Sequence, residues 1–210
     1  MEEIKVKVKV QGISNSQIQS GAFALVMSEE GLRRLPIIVG LFEAQSIALA
    51  FENVHPPRPL THDLFISFVS VTGLRFKEVF IYKFDDGVFY SVIIVNDGTR
   101  DLQIDSRTSD AIAIAIRAKC PIFTTEAIMQ KCAIVIDNSS HEDENDPEAF
   151  PAELTAEDLL DFNKLKNQLR MLKKKDLEDR LTIAITEENY EFAKIYKDEL
   201  LRREEEVKNG

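Results

Sequence analysis

Two short segments of the chain combine a cation, a hydroxyl group and carboxylates at the predicted start of a helix. The first, RPLTHDL, covers residues 58–64, and the second, DSRTSD, covers residues 105–110. A third predicted helix begins after Gly40 and carries Glu43 in its first turn. Helix N-termini present free N–H groups and partial positive charge, and therefore attract phosphate. The three segments predict an anion-binding site, provided that they meet in space.

The side chains in these segments fit the hydrolysis of a phosphodiester bond. His62 titrates near neutral pH and can act as a general base or acid. Arginine offers paired donors that suit a phosphate group. Carboxylate oxygens are the ligands that Mg²⁺ or Mn²⁺ prefers, and such a cation would stabilise the pentacoordinate state. The carboxylates that could hold the cation are Glu43, Asp63, Asp105 and Asp110.

The same residues also have a purely structural interpretation. Thr61 and Thr108 can act as N-caps, and the carboxylates of the first turns then stabilise the helix dipoles by ~0.3–1 kcal/mol each. Arg58 and Arg107 would then pair with those carboxylates. Helix caps are far commoner than active sites, so the sequence leaves both interpretations open.

Hydrophobic periodicity predicts the elements that position these groups. The run AIAIAI after residue 110 alternates like a strand, but alanine and the capping residues before it favour a buried helix that Pro121 stops. Asp85-Asp86-Gly87 indicates a hairpin turn. The helix from Thr61 places Leu64, Phe65, Phe68 and Val71 on one face. Strands are predicted at 3–13, 22–27, 35–39, 76–84, 88–95 and 102–104, and helices at 41–54, 61–72 and 105–119.

Charge divides the chain into unequal parts. The formal net charge is −10, which argues against a broad basic face. Residues 1–138 carry 14 Lys and Arg against 16 Asp and Glu, whereas residues 139–210 carry 12 against 20. Residues 139–153 hold six acidic residues and two prolines, which is typical of a solvated linker. We therefore predict a domain at 1–138, an acidic linker at 139–153 and a helical domain at 154–210.

Other features of the composition exclude several classes of protein. The two cysteines, Cys120 and Cys132, form no CxxC pair, so neither a zinc site nor a disulfide framework is expected. The chain has no run of ~20 apolar residues that would suit a membrane span, and its first residues lack the apolar core of a signal peptide. We expect a cytoplasmic protein with no membrane partner.

Four ordered blocks resemble the bifunctional nuclease domain family. They are RRLPIIVGLFEAQSIA (33–48), RPLTHDL (58–64), DGVFYSVIIV (86–95) and IDSRTSDAIAIAIR (104–117). The resemblance covers about residues 5–135 and implies an α+β domain, with a mixed or antiparallel sheet packed with about four helices. It also implies nuclease activity on DNA, RNA or both.

The resemblance implies roles for particular residues. Thr108 stands where members usually have proline, and Ser106 where they have alanine; both changes are mild. The implied catalytic residues are His62, Asp63, Glu43, Asp105 and Asp110, and the implied substrate-binding residues are Arg58, Thr61, Arg107 and Ser109. The tentative ligands of a divalent cation, Mg or Mn, are Asp63, Asp105 and Asp110.

The C-terminal part resembles a UVR motif, the helical hairpin shared by UvrB and UvrC. The matching stretch is LEDRLTIAITEENYEFAKIYKDEL, residues 177–200. Two facing stripes are predicted, with Glu187-Glu188-Asn189 as the turn. The stripes are Leu177, Leu181, Ala184 and Ile185 on one helix, and Ala193, Tyr196 and Leu200 on the other. The resemblance implies contact with a protein partner, and the small apolar area suggests that the hairpin needs a partner or its own copy. A homo-oligomer is therefore expected.

Two functions from different classes remain. The first is a nuclease that takes nucleic acid as substrate. The second is a non-catalytic module that binds a phosphate or a nucleotide and passes a signal through the hairpin. The nuclease function requires the loop-to-helix junctions to meet in space. The sequence alone does not show whether they do.

Overall fold

The computed structural model describes residues 4–16, 22–135, 154–160, 174–186 and 190–209. The chain divides into two compact units, Met1–Ala156 and Glu157–Gly210. The predicted linker lies outside the described residues, and so does the predicted turn at 187–189. Within the described parts of the chain, no helix is long and apolar enough to cross a membrane.

Eight strands form one sheet. They are β1 (Lys5–Asn15), β2 (Phe23–Ser28), β3 (Arg33–Val39), β4 (Arg75–Asp85), β5 (Val88–Asn96), β6 (Asp101–Arg107), β7 (Ile122–Thr125) and β8 (Ile134–Val135). Their order across the sheet is β6-β5-β4-β7-β1-β2-β3-β8. The β4–β7 pair is parallel and the other pairs are antiparallel.

Seven helices lie in the described residues. They are α1 (Leu41–Phe51), α2 (Thr61–Val71), α3 (Thr108–Ala118), α4 (Glu126–Cys132), α5 (Ala156–Leu160), α6 (Lys174–Thr186) and α7 (Tyr190–Asn209). The mixed sheet, the helices that accompany it and the helical elements after it confirm the predicted α+β class.

Helix α3 forms the centre of the helix layer. Ala111, Ile112 and Ala115 are completely buried, as are Val79 and Val95 of the strands that α3 contacts. Helix rather than strand is therefore the right interpretation of the AIAIAI run. Its small alanines allow α1 and α2 to approach α3 closely, and its isoleucines each contribute ~1.5–3 kcal/mol of burial.

Helix α2 is rotated away from the orientation that its apolar stripe suggests. Leu64, Phe68 and Val71 are 64%, 56% and 82% exposed, and Val69 is the buried residue of this helix. The positions that face the rest of the domain include His62 and Val69, which lie on one helical face two turns apart. Polar contacts of His62 with α1 and α3 hold α2 in this orientation, so most of the predicted apolar stripe is exposed.

The two C-terminal helices α6 and α7 pack against each other. Leu177, Ala193, Tyr196 and Leu200 form a buried cluster, and Leu181 packs against it. These five members of the predicted stripes therefore meet, whereas Ile185 is 55% exposed and the side chain of Ala184 lies outside the described ones. Glu199 binds Arg202 and Arg203, which hold the pKa of its carboxyl at about 2 against the desolvation that burial imposes.

Candidate active site at three helix N-termini

Helix α1 and the N-terminal turns of α2 and α3 meet around the imidazole of His62. His62 Nε2 lies 3.0 Å from Asp110 Oδ1 on α3, and Nδ1 lies 2.8 Å from Ser46 Oγ on α1. An ionised carboxylate only accepts hydrogen bonds, so Nε2 carries a proton and donates it to Asp110. In the neutral ring Nδ1 then accepts from the Ser46 hydroxyl. The network thus assigns both the tautomer and the orientation of the ring.

Arg107 connects Asp110 with helix α1. Arg107 Nε donates to Asp110 Oδ2 at 2.8 Å, and Nη1 donates to Glu43 Oε1 at 3.1 Å. The hydrogen bond from His62 lowers the pKa of Asp110 to about 2, with a further contribution from Arg107 and against the effect of burial. Asp110 is therefore ionised at neutral pH. The Arg107 side chain is 69% exposed, so solvent and ligands reach its guanidinium.

Asp63 takes part in a second, adjoining contact. Its Oδ1 accepts from Arg117 Nε at 2.7 Å, and its Oδ2 accepts from the Leu60 backbone N–H at 2.8 Å. Burial opposes ionisation of Asp63, yet these two donors hold its pKa below the ordinary value. Arg117 is 9% exposed and also donates to the Ala113 carbonyl. The pair ties the start of α2 to the last turn of α3.

Four of the predicted site residues stand apart from this network. Within the described residues, no hydrogen bond or ion pair joins Arg58, Thr61, Asp105 or Ser109 to His62, Asp110 or Arg107. Arg58 and Thr61 are exposed beside the start of α2. Asp105 belongs to the exposed positions of β6, which alternate with half-buried ones.

The helix caps differ from the predicted ones. The N-cap residues of α2 and α3 are Leu60 and Arg107, so neither threonine occupies a cap position. Thr108 is buried, and its hydroxyl donates to the Phe89 carbonyl at 3.0 Å. With Leu60 as the N-cap, Asp63 is the third residue of α2, and its carboxylate accepts from the Leu60 N–H.

The predicted cation ligands do not form one cluster. Asp63 is bound by Arg117, Asp110 is bound by His62 and Arg107, and Asp105 is exposed on its strand. Among the residues that the structure describes, no three His, Cys, Asp or Glu side chains are arranged to hold a metal ion. Because this donor set does not fit a cation as arranged, the divalent ion stays a prediction.

Sequence reasoning missed two residues that the site uses. Ser46 follows Glu43 by three positions, and Arg117 follows Asp110 by seven, so each lies on the same helix face as a predicted residue. Ser46 is buried although it is polar, and its partner is His62. The helical spacing was the available signal for both residues.

A groove lies beside the Asp63–Arg117 pair, with a volume of about 570 Å³. Its walls include Val54, Pro57, Ile66 and Ile116. Arg117 and Lys119, which also line it, supply positive charge at the end of α3. Apolar walls with a few convergent polar groups are typical of a binding site for a small molecule.

The low pKa of Asp110 predicts how stability changes with pH. Its carboxyl is easier to protonate in the unfolded chain, where the pKa is near 3.8, than in the folded one, where it is about 2. The contribution of Asp110 is therefore complete above about pH 4 and is lost as the pH falls towards 2. We expect the difference in unfolding free energy between wild type and Asp110→Asn, measured in urea, to shrink over that range. A difference that stays constant from pH 7 to pH 2.5 would contradict this assignment.

The sequence blocks that carry the site lie in a segment that matches a known protein family. Residues 24–137 match the family model described as the bifunctional nuclease domain, and the chain belongs to this family. All of the residues in the His62 network lie within the matched segment.

The relatives of the chain are mostly without an assigned activity. An uncharacterized protein of Mycobacterium tuberculosis, found in strains CDC 1551 / Oshkosh and ATCC 25618 / H37Rv, is 38% identical over 137 residues. That match spans 65% of this chain and 82% of the relative. Bifunctional nuclease 2 of Oryza sativa subsp. japonica is 34% identical over 91 residues, which cover 42% of this chain and 28% of the plant protein.

Proposed function

We propose that the protein is a nuclease that hydrolyses phosphodiester bonds of DNA or RNA at the His62 network. The observation that carries the proposal is the convergence of α1 and the first turns of α2 and α3 on one histidine, whose ring is held by Asp110 and Ser46. A histidine oriented by an ionised carboxylate is the arrangement that general acid–base catalysis needs. Membership of the bifunctional nuclease domain family supports this choice of reaction.

In the proposed mechanism His62 moves the protons. A water molecule takes the place of Ser46 Oγ at Nδ1, gives its proton to that nitrogen and attacks the phosphorus. Asp110 stabilises the imidazolium that forms, because its carboxylate already accepts from Nε2. As the bond from phosphorus to the leaving oxygen breaks on the opposite side, that oxygen takes a proton from a water molecule, and Nδ1–H releases its own proton to solvent. Ser46 regains its hydrogen bond afterwards.

Arg107 is the proposed phosphate ligand. It is mostly exposed, and the free N–H groups of the first turns of α1 and α3 add partial positive charge on the same side. Glu43 holds the guanidinium from the other side. Arg58, exposed at the start of α2, is a second candidate for a phosphate of the bound strand. In this assignment Asp63 is a positioning residue that fixes α2 through Arg117.

The direct test is cleavage of labelled DNA and RNA strands by the purified full-length chain, with and without EDTA. We expect cleavage of at least one of the two nucleic acids. Loss of cleavage in EDTA and its return with Mg²⁺ or Mn²⁺ would support the predicted cation. Equal cleavage with and without EDTA would show that the reaction does not need the predicted cation. Absence of cleavage of either strand under all conditions would contradict the proposed function.

The groove beside Arg117 favours a second candidate function, the binding of a nucleotide without cleavage. Lys119 and Arg117 would bind its phosphate, and the apolar walls would enclose the base. Isothermal titration with adenosine monophosphate tests this candidate. Binding that is lost in Lys119→Gln, in a chain that cleaves no nucleic acid, would favour it over the nuclease.

The C-terminal helices are the proposed element for association with a partner or a second copy. Residues Leu154 and Ala156 belong to the first unit, where their N–H groups donate to Ile13 and Glu52 at 2.7 and 2.6 Å. We therefore expect a chain that ends at Ala156 to keep its melting temperature while its mass in light scattering falls to that of a monomer. Unfolding of this shortened chain, or an unchanged oligomer, would contradict the prediction.

A further inference from the structure

A series of aromatic rings crosses three adjacent strands of the sheet. Phe123 of β7 is the register partner of Phe80 of β4. The ring centroids of Phe80 and Tyr82 are 6.4 Å apart, and those of Tyr82 and Tyr90 of β5 are 6.5 Å apart. We call these four residues the aromatic face. Tyr90 is 38% exposed and the other three rings are partly exposed, so all of them offer surface to a ligand.

Lysine side chains accompany the aromatic face. Lys5 Nζ lies 4.6 Å from the centroid of Phe80 and 5.6 Å from that of Phe123, and Lys83 Nζ lies 4.9 Å from that of Tyr90. Lys7 is the register partner of Phe123, and Lys9 lies two positions further along the same side of β1. The alternation KVKVK thus places three lysines in one row beside the rings.

The charge of this surface is not fully compensated. Lys5 pairs with Glu78, and Lys83 pairs with Asp85. Lys7 and Lys9 are exposed, and within the described residues neither pairs with a carboxylate. Their charges are therefore available to an anionic ligand. Positive charge combined with exposed rings complements a ligand that carries both phosphates and flat bases.

The aromatic face reaches Arg107, which lies on the edge strand of the sheet and contacts the candidate active site. Tyr90 is the register partner of Arg107 across β5 and β6. Arg107 in turn contacts Glu43 and Asp110 of the His62 network. Since neighbouring strands lie ~4.8 Å apart, the surface from the lysine row on β1 to Arg107 on β6 is roughly 19 Å wide. A ligand of several nucleotides can therefore touch both ends.

We propose that the aromatic face and the lysine row bind single-stranded nucleic acid and guide it to the His62 network. The inference rests on the proposed nuclease function and names its substrate class. Bases of a single strand are free to stack on aromatic rings, whereas the bases of a duplex are already stacked inside it. The lysines and Arg107 bind the phosphates on either side of the rings.

The test measures fluorescence anisotropy of a labelled oligodeoxythymidylate of about 12 nucleotides, bound to the full-length His62→Gln chain so that the strand stays intact. Tyr82→Leu and Tyr90→Leu should each raise the Kd by about 5-fold or more, because each removes a stacking surface. Phe68→Leu, which removes an exposed ring from α2, is the matched control and should leave the Kd unchanged. A duplex of the same length should bind more weakly.

The lysines are tested through the salt dependence of binding. Each phosphate contact on a single strand contributes about 0.7 to the slope of log K against log salt. The double variant Lys7→Gln, Lys9→Gln should therefore lower the slope by about 1.4. Both residues are exposed, so this variant remains informative if a tyrosine variant fails to fold.

The possible results separate this inference from the proposed function. Two results would overturn the inference even if the wild-type chain cleaves nucleic acid. The first is an unchanged Kd in the tyrosine variants together with an unchanged salt slope. The second is tighter binding of the duplex. If the variants bind more weakly and the wild-type chain cleaves nothing, the proposed binding surface is supported and the proposed nuclease function is wrong.

Discussion

Replacing His62 by glutamine should lower the rate of phosphodiester cleavage by at least ~100-fold and leave the protein folded. The histidine takes the proton from the attacking water in the proposed mechanism, and its ring is held between Asp110 and Ser46. Glutamine keeps a polar side chain of moderate size at this position but has no titratable nitrogen. Single-turnover cleavage of a labelled strand gives the rate, and the thermal midpoint reports the fold.

The control for this variant is His55→Gln. His55 is an exposed histidine of the loop before α2, and its Nδ1 donates to the Asn53 carbonyl at 2.8 Å. It lies outside the His62 network, so its replacement should retain the wild-type rate. Equal cleavage by wild type, His55→Gln and His62→Gln would show that a contaminating nuclease produces the signal.

Removing the carboxylate of Asp63 should destabilise the protein more than any other single change at the site. Asp63→Asn leaves the guanidinium of Arg117, which is 9% exposed, without its counter-charge. A fully buried charge left alone costs about 3–5 kcal/mol. Asp63 itself is 32% exposed, so solvent reduces the penalty, and we expect a loss of about 2 kcal/mol in urea unfolding.

A double variant separates the charge effect from loss of packing. Asp63→Ala with Arg117→Leu removes both charges and should recover part of the stability that Asp63→Ala alone loses. The matched control is Lys83→Ala, which breaks an exposed pair with Asp85 and should leave stability unchanged. A double variant less stable than Asp63→Ala would show that the pair acts through packing rather than charge.

Local patterns in the sequence predicted most of the individual elements. The turn at Asp86 and Gly87 has the positive φ angles that its sequence favours, and the helix after Arg107 begins where a cap was expected to within one residue. Such features depend on a few neighbouring residues, so a local pattern predicts them. The four residues of β7 after Pro121 are too few to show an alternation, so the sequence did not predict this strand. In the structure β7 joins the two halves of the sheet.

The sequence indicated which helix starts would converge, but not how their side chains are arranged. His62, Asp110, Arg107 and Glu43 are brought together, as the hypothesis of converging helix starts requires. Asp105 is only two residues from Arg107, yet it is exposed on β6, and no hydrogen bond or ion pair within the described residues joins it to the network. Alternation places both side chains on the same side of β6, and the difference arises because the longer Arg107 side chain reaches Glu43 and Asp110.

The orientation of α2 also depends on tertiary contacts. Its apolar stripe groups Leu64 and Phe68 on one face, which the structure leaves exposed, and the hydrogen bonds of His62 hold the opposite side towards α1 and α3. A hydrophobic pattern predicts the period of a helix but not which neighbouring element each face of the helix contacts.

The central claim is that His62 and Asp110 act as one catalytic unit at the meeting point of the three helices. The measurement that tests it most directly is a double-mutant cycle on the cleavage rate, with His62→Gln, Asp110→Asn and the double variant. We predict that the double variant is no slower than His62→Gln alone, because Asp110 acts through the histidine ring. Losses that multiply in the double variant, or a wild-type chain that cleaves no strand, would contradict the claim.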